Sequence, residues 1–505
     1  MPGPSPKVND PLSGLLQQSM GRKTVLALFF GLLTGVGQAP FAQTWFAILG
    51  LSAVFGLFLT TVSIRQAAWL GWAFGTGYFG LVLNWIVEPF LVDVARHGWM
   101  APFALVGLAA GLALFWALAF GLAKKQGSLL ALAVFLTLAE LARSYVLTGF
   151  PWGLLGYIWL DRGLDQLASV IGPHGLTLLT LLGVWALVGG IRRRSWGALT
   201  GLLAGFAGLL AYGLWLAGAA PVPRPDAPIV RLIQPNAPQH QKWDPMLVPM
   251  FFQRSLSLTA AAAKPRPDLI IWPETSVPYL LNRSTGPLAQ MTEAAGGAPV
   301  VFGVQRRDGP RYLNALAVLD RDGVVSTIYD KAHLVPFGEY IPAAALAKRL
   351  GITGLADQDG FGFGAGPGLR LLDLPGLGRA LPLICYEAIF PHEVVGAPRG
   401  DFLLQITNDA WFGNLTGPQQ HLAQTRFRAI ELGLPMVRAA NTGISAVIDG
   451  RGRITTRLAL GQAGFVDAPL PAALPATIYA KTGDTPLIIL LLIATAGLLF
   501  SRRQS

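Results

Sequence analysis

Long apolar runs separated by short polar loops dominate the chain up to residue 217, and one more lies near the C-terminus. Most of them approach the roughly 20 residues that an α-helix needs to cross the hydrocarbon core of a bilayer. The pattern predicts a helical membrane domain with about eight spans. The eight runs cover residues 24–41, 43–61, 67–88, 99–123, 128–147, 175–191, 196–217 and 486–501.

The pattern changes after a proline-rich linker at Ala219–Pro225. Short runs rich in Val, Ile and Leu then alternate with helical patterns at 246–263 and 418–432, which is typical of a mixed α/β domain. We therefore predict three parts: a membrane domain at 1–218, an α/β domain at 219–480, and a C-terminal transmembrane helix with its tail at 481–505. The predicted strands are Ile229–Ile233, Asp268–Trp272, Pro299–Val304, Ala315–Leu319, Val324–Tyr329, Leu381–Cys385, Phe402–Ile406 and Ser445–Ile448.

The composition agrees with a membrane protein that also carries soluble mass. Hydrophobic residues make up 52% of the chain and charged residues 13%, and the mean hydropathy is +0.50. That charged fraction is about half of what a soluble domain carries. The net charge of +11 is not gathered in one basic patch. We therefore expect no nucleic acid partner.

Basic residues cluster at alternate ends of the apolar runs. Because Lys and Arg accumulate in cytoplasmic loops, these clusters indicate orientation. All of them fall on one side of the membrane if the N-terminus is cytoplasmic, and residues 218–485 then face the opposite side. The clusters are Arg22 and Lys23, Arg65, Lys124 and Lys125, Arg192 to Arg194, and Arg502 and Arg503.

Two charged residues, Glu140 and Arg143, lie inside the fifth run at positions i and i+3. Charges within a span are costly and are usually paired or functional. A structural ion pair and a functional role are both open.

Three polar side chains follow three predicted strands of the α/β domain. Glu274 comes after Asp268–Trp272, Lys331 after Val324–Tyr329, and Cys385, the only cysteine of the chain, at the end of Leu381–Cys385. A free cysteine is usually a small core residue, and a nucleophilic one needs help to form its thiolate. The carboxyl ends of strands are where α/β sheets bind ligands. The three residues therefore predict an active site.

The chemistry of the three groups suggests a division of roles. Glu274 takes the thiol proton as general base, and Lys331 stabilises the thiolate and the oxyanion that forms on attack. Glu339, eight residues beyond Lys331, either orients that lysine or is a surface carboxylate. The six histidines show no metal-ligand spacing, so we expect neither a metal nor another cofactor.

Three motifs carry a family resemblance. They are Trp272-Pro-Glu274, Asp330-Lys-Ala-His-Leu-Val-Pro-Phe-Gly-Glu-Tyr340 and Ile384-Cys-Tyr-Glu387, and they resemble the signatures of the nitrilase superfamily. Set among eight apolar runs, they are similar to its membrane-embedded branch, the apolipoprotein N-acyltransferase family. Further matching segments are Lys242–Pro245, Asn408–Gly413, Pro418–His421 and Asn441–Gly443.

The resemblance implies an αββα sandwich with a Glu-Lys-Cys triad, placed on the periplasmic face of a bacterial inner membrane. It implies that Cys385 takes an acyl chain from a membrane phospholipid as a thioester. The free α-amine of a diacylglyceryl-cysteine lipoprotein would then accept that chain. The resemblance also implies that Tyr386 and Glu387 surround the nucleophile and that Trp243 contacts substrate near the entrance. We expect a monomer.

Other functions remain alternatives at this point. A membrane-tethered nitrilase-type amidohydrolase would use water as the final acceptor. A transporter with an outer ligand-binding domain would leave the three polar residues unexplained. The glycine-rich run Gly360–Gly368 contains no Gly-Lys-Ser/Thr and follows no clear strand, so we expect no nucleotide.

Overall fold

The structure is a computed structural model that describes residues 19–218, 226–342 and 362–503. The predicted linker at 219–225, the N-terminal tail before residue 19 and the first two residues of the glycine-rich run lie outside the described residues.

All eight predicted apolar runs coincide with helices. Numbered in chain order, the longer helices of the described chain comprise seven that precede the linker, three in the α/β domain and one at the C-terminus. They are α1 Met20–Gly35, α2 Thr44–Leu59, α3 Ile64–Val82, α4 Ala101–Gln126, α5 Leu129–Tyr145, α6 Ala168–Arg193, α7 Trp196–Ala217, α8 Val248–Ala260, α9 Thr285–Ala295, α10 Gly417–Leu432 and α11 Thr485–Arg503.

Length and composition identify fewer membrane spans than the eight predicted. Within the described residues, three helical segments are long and apolar enough to cross a bilayer, at Val94–Gln126, Leu164–Arg193 and Trp196–Ala217. Helix α3 and the bent segment Asn84–Leu91 together make a fourth candidate. The remaining apolar helices are shorter, so a count of eight stays a prediction.

Glycines let the first and third helices approach closely. A Cβ on Gly31 would lie 2.0 Å from the carbonyl oxygen of Phe74, and one on Gly77 would lie 2.1 Å from that of Leu28. Any larger residue at either position would push α1 and α3 apart. Small residues at helix contacts are the usual means of packing in membranes, where apolar burial between helices drives little association.

The charges inside α5 form a buried ion pair. Arg143 Nη2 lies 2.8 Å from Glu140 Oε2, and both side chains are fully buried. Trp116 Nε1 donates to Glu140 Oε1 at 2.9 Å, and Arg143 donates to the carbonyl oxygens of Phe150 and Trp152. These contacts support the structural alternative, because the pair fixes the loop that follows α5.

The α/β domain is a sandwich of two sheets. In the described residues its strands, numbered in chain order, make a first sheet of order β12-β1-β2-β3-β4-β5 and a second of order β11-β10-β9-β8-β7-β6. The strands are β1 Ile229–Gln234, β2 Leu269–Ile271, β3 Val300–Asp308, β4 Arg311–Leu319, β5 Val325–Asp330, β6 Leu372–Leu374, β7 Gly378–Ile384, β8 Phe402–Thr407, β9 Met436–Ala440, β10 Ser445–Ile448, β11 Ile454–Leu458 and β12 Gly464–Pro469.

Each sheet has a parallel centre with antiparallel edges. β1, β2 and β3 are parallel in the first sheet, and β7, β8 and β9 are parallel in the second. Apolar side chains of both sheets meet between them, while α8 and α9 cover the outer face of the first and α10 that of the second. This is the αββα arrangement that the family resemblance implied.

Helix α10 lies between the second sheet and the membrane domain. Leu422 and Ala429 pack on the sheet side, and Phe427 and Ile430 pack against residues of the 154–168 segment. Because both sides of the helix are covered, nearly all of its residues are buried. The helix predicted at 418–432 is confirmed, and it joins the two domains through packed apolar surface.

Candidate active site

The three predicted catalytic residues come together at one edge of the sandwich. Glu274 lies three residues beyond β2, Lys331 directly follows β5, and Cys385 directly follows β7. The Nζ atom of Lys331 lies 3.8 Å from Oε1 of Glu274. The charges of both groups act on the thiol of Cys385. Strands from both sheets thus deliver a carboxylate, an ammonium and a thiol to one buried site.

Cys385 begins a tight turn rather than ending the strand as predicted. Strand β7 stops at Ile384, and Cys385 opens a short 3-10 helix, Cys385–Ile389, with a φ of +51°. A residue with a Cβ pays about 1–2 kcal/mol for this left-handed conformation. Such strain persists only where the surrounding structure holds it, and it concentrates at functional sites.

The carboxylate of Glu274 is held from two directions. Nδ2 of Asn314 donates to Oε1 at 2.8 Å, and the backbone N–H of Asn408 donates to Oε2 at 2.8 Å. The side chain is 8% exposed. Fixed hydrogen bonds leave the carboxylate little freedom to rotate, which suits a general base that must meet its proton at a set position.

Lys331 is paired mainly with Glu339. Its Nζ donates to Oε1 of Glu339 at 2.9 Å, and Asn314 Nδ2 donates to the same oxygen at 3.0 Å. The other oxygen of Glu339 accepts the backbone N–H of Val335 at 2.8 Å. Glu339 is therefore a support of the lysine rather than a free surface carboxylate. Asn314 links both carboxylates to one amide.

Burial and charge set the protonation of the site. Burial raises the pKa of the Cys385 thiol well above its usual range, Glu274 raises it further, and Lys331 opposes them. Burial would lower the pKa of Lys331, but the carboxylates of Glu339 and Glu274 outweigh it and keep that pKa above its ordinary value. At neutral pH the site therefore contains a protonated thiol beside a permanent cation.

A small cleft of about 20 Å³ reaches Glu274 from the side of Trp243. The Trp243 ring is 43% exposed, and the Nζ of Lys242 lies 5.6 Å from its centroid. Lys242 Nζ also donates to the carbonyl oxygen of Glu274 at 3.1 Å and to the Thr275 hydroxyl at 2.8 Å. Burial lowers the pKa of Lys242 to about 8. The exposed Trp243 ring thus lies beside the buried Glu274, and its contact with substrate near an entrance stays a prediction.

Comparisons with known proteins agree with this geometry. The carbon-nitrogen hydrolase family model matches residues 230–478, and the model of the apolipoprotein N-acyltransferase N-terminal domain matches residues 30–186. The apolipoprotein N-acyltransferase of Rhodopseudomonas palustris is 39% identical over 97% of this chain and 97% of its own length. That of Bradyrhizobium diazoefficiens is 41% identical over 87% of this chain and 86% of its own.

The chain belongs to the apolipoprotein N-acyltransferase family. Among solved structures, a Nesterenkonia amidase of the nitrilase superfamily aligns with 53% of this chain and 98% of its own, at 19% identity and a TM-score of 0.37. A likeness that low carries no inference about activity. The assignment to the family rests on the matching relatives, which cover both the membrane and the α/β parts of the chain.

Tyr386 is buried directly after the nucleophile. It is 4% exposed and packs edge-on against the rings of His333 and Phe390. Burial raises the pKa of its hydroxyl well above the usual range. Its position beside Cys385 is the one expected of a residue that shapes the site, and its contact with substrate stays a prediction.

Glu387 links the segments that follow β5 and β7. Its Oε1 accepts the Tyr329 hydroxyl at 2.7 Å and the backbone N–H of Ala332 at 2.7 Å, next to Lys331. Its Oε2 accepts the backbone N–H of Ile384 at 2.7 Å, next to Cys385. The side chain is fully buried. Its contacts are therefore with the backbone around Cys385 and Lys331, and a role in lining the pocket stays a prediction.

We expect Glu387→Gln to destabilise the protein and slow its chemistry. Both oxygens of Glu387 accept backbone N–H groups, so an amide nitrogen at either place faces a donor and leaves it unpaired, which costs about 1–3 kcal/mol. A turn displaced by a fraction of an ångström slows acylation by roughly 10–100-fold. Thermal unfolding and single-turnover acylation of the purified variant measure the two effects. Wild-type thermal stability together with a wild-type rate would show that Glu387 only packs in the core.

Sequence reasoning did not single out Asn314, which touches both carboxylates. A signal was present, because Asn314 is the lone amide in the apolar run Leu313–Leu319 of β4. Lys242 was recognised only as part of the matching segment Lys242–Pro245. Nothing in its sequence neighbours indicated that its ammonium reaches the backbone of Glu274.

Proposed function

We propose that the protein N-acylates lipoproteins in two steps through a thioester on Cys385, with a membrane phospholipid as acyl donor. In the first step Glu274 takes the proton of the Cys385 thiol, and sulfur attacks the carbonyl carbon of a phospholipid ester. The oxyanion forms beside Lys331. The carbon–oxygen bond to glycerol then breaks, and Glu274 returns the proton to the departing oxygen. The products are the acyl-enzyme and a lysophospholipid.

In the second step the free α-amine of a diacylglyceryl-cysteine attacks the thioester carbonyl. An α-amine has a pKa of about 7.7–8.0, so a useful fraction is neutral and nucleophilic near pH 7. Glu274 takes a proton from the attacking nitrogen, and the carbon–sulfur bond breaks. The thiolate of Cys385 recovers that proton, and an N-acylated lipoprotein leaves. Dividing the transfer lets two bulky lipids use one site in turn.

The observation that carries this proposal is the convergence of Glu274, Lys331 and Cys385 in a chain whose family relatives are acyltransferases. Both proposed substrates are anchored in a membrane, which accounts for the apolar helices of the chain. A membrane-tethered amidohydrolase would need no lipid acceptor, and the family membership disfavours it.

One assay separates the two activities. Purified protein is incubated with phospholipid and a diacylated lipopeptide, and the products are identified by mass spectrometry. We expect N-acylated peptide only when both substrates are present, together with an equal amount of lysophospholipid. Free fatty acid formed at the same rate without the peptide would identify water as the acceptor and the protein as a hydrolase.

We further propose that the protein lies in the bacterial inner membrane with the α/β domain in the periplasm. Lys23 and Lys124 donate to the backbone oxygens of Thr60 and Thr61. Those threonines lie just before Arg65, so three of the basic clusters share one end of the helices. The α/β domain contacts the other end, where Trp152 Nε1 donates to Gln420 at 2.6 Å. The proposed division into 1–218, 219–480 and 481–505 follows this arrangement.

Topology reporters test the orientation. A reporter fused near Gly309 should be active only on the periplasmic side, and one fused after Arg503 only in the cytoplasm, because basic loops stay inside. A fusion after Lys125 provides a second cytoplasmic control. Cytoplasmic signals from both Gly309 and Arg503 would contradict the proposed orientation and change the number of spans.

A further inference from the structure

The strained turn at Cys385 is held through its backbone oxygen. Nε2 of Gln405 donates to the carbonyl oxygen of Cys385 at 3.2 Å. Gln405 lies on β8, next to the strand that carries Cys385, and its side chain is fully buried. A residue held at a φ of +51° needs such contacts to stay in place.

The amide of Gln405 is fixed in one orientation. Its Oε1 accepts the Thr425 hydroxyl at 2.8 Å and Nη1 of Arg438 at 2.6 Å. The amide nitrogen must therefore face the opposite way, toward Cys385 and His421. That nitrogen lies 3.2 Å from the Cys385 oxygen, to which it donates, and 3.1 Å from Nε2 of His421.

Asp409 and Arg438 determine the state of the His421 ring. Its Nδ1 is 2.9 Å from Oδ1 of Asp409, which only accepts, so Nδ1 carries the proton. Burial would raise the pKa of Asp409, but Arg438 and His421 lower it to about 2, so it is a carboxylate. Burial and Arg438 lower the pKa of His421. Nε2 of His421 lies 3.1 Å from Nε2 of Gln405 and 3.1 Å from the Cys385 oxygen, so the ring contacts both the amide and the turn.

We infer that Gln405 and His421 are positioning residues that hold the nucleophile's turn in its catalytic conformation. Arg438 contacts Asp409, Asp409 contacts His421, and His421 and Gln405 both contact the Cys385 oxygen. Four of these side chains are fully buried and none of them needs to meet substrate. They act through the backbone of Cys385, and the inference rests on the proposed role of that thiol.

The consequence is a defined requirement at position 421. A polar group is needed where Nε2 lies, beside the Gln405 amide and the Cys385 oxygen, and a donor to Asp409 is secondary. Glutamine can place its carbonyl oxygen near the Nε2 position, whereas asparagine reaches only the Nδ1 position and leucine supplies neither. Activity should therefore follow the order His, then Gln, then Asn and Leu together. A residue that only filled space would instead favour leucine.

The experiment compares His421→Gln, His421→Asn and His421→Leu in the full-length protein. Two rates are measured: formation of the acyl adduct from phospholipid in a single turnover, and alkylation of Cys385 by iodoacetamide. We expect His421→Asn to lower both rates by about 10–100-fold with an unchanged KM for phospholipid, since small displacements of a reacting group cost that much. His421→Gln should recover most of the loss. His240→Leu, whose native ring is exposed, is the matched control.

The outcomes separate this inference from the proposed function. Equal adduct and alkylation rates in wild type and His421→Asn would overturn the positioning role and leave the thioester mechanism intact. If wild type forms no adduct, the proposed function fails, and the alkylation rates of the same variants still decide whether His421 positions the thiol. Loss confined to thermal stability, with normal rates in the folded fraction, would also overturn the inference.

Discussion

Cys385→Ser should fold and insert normally yet lose acyl transfer by at least about 10³-fold, as expected when an activated nucleophile is removed. Serine is close to cysteine in size, and the backbone contacts of the turn do not involve the sulfur atom. A serine hydroxyl, however, is far harder to ionise than a thiol, and Glu274 has to remove its proton. The variant isolates the chemistry of the sulfur atom from its packing.

The covalent intermediate gives the more direct measurement. Wild-type protein incubated with phospholipid alone should gain the mass of one acyl chain, located on the peptide that contains Cys385 and released by hydroxylamine. A diacylated lipopeptide should then discharge it as N-acylated peptide. Because the chain has a single cysteine, no second thiol can carry the label. Transfer by the Cys385→Ser protein, or label on a serine of the wild type, would refute the thioester.

The convergence of Glu274, Lys331 and Cys385 could be predicted because each residue follows an apolar strand. β2, β5 and β7 were recognised from their Val, Ile and Leu content, and the polar group follows within three residues of each strand end. Glu339 was recognised as a possible support of Lys331 for a similar reason, since it follows on the same loop. Local pattern was sufficient wherever a functional group sits at the end of a regular element.

The supporting contacts could not be predicted because they join distant parts of the chain. Strand β9 was missed, since Arg438 interrupts its apolar pattern. The buried charge is tolerated because Arg438 pairs with Asp409 and also donates to Gln405. Glu387 was expected to line the pocket, but its four hydrogen-bond donors come from residues up to 58 positions away. The residues next to Glu387 and Arg438 in the sequence do not indicate these long-range hydrogen bonds and ion pairs.

The number of membrane spans illustrates a different limit. All eight runs became helices, yet several are shorter than a bilayer requires and α3 bends by 64° into the next segment. Hydropathy identifies which residues avoid water, and helix length decides which segments can cross. Loop residues of the α/β domain contact the bent segment, where Thr416 donates to Asn84 and Phe412 packs on Trp85. An apolar run there serves packing as much as crossing.

Glu274→Gln should reduce formation of the acyl adduct by about 10³-fold, within the range that a general base contributes. The amide cannot take the thiol proton, and it also places a nitrogen against the donors of Asn314 or Asn408. Glu339→Gln is the matched control, because it removes the other carboxylate beside Lys331 and creates a similar donor conflict. As Glu339 supports only the lysine, its loss should cost about tenfold.

In Glu274→Gln the Cys385 thiol should be alkylated more easily, although acyl transfer becomes slower. The negative charge of Glu274 helps to raise the pKa of Cys385, so its removal should shift the alkylation profile of Cys385 to lower pH. The variant would then form thiolate more easily and transfer acyl chains far more slowly. That combination is expected only if Glu274 moves protons during the reaction, since an electrostatic partner alone would change both rates together. Wild-type adduct formation in Glu274→Gln, or the larger loss in Glu339→Gln, would assign the base to the other carboxylate.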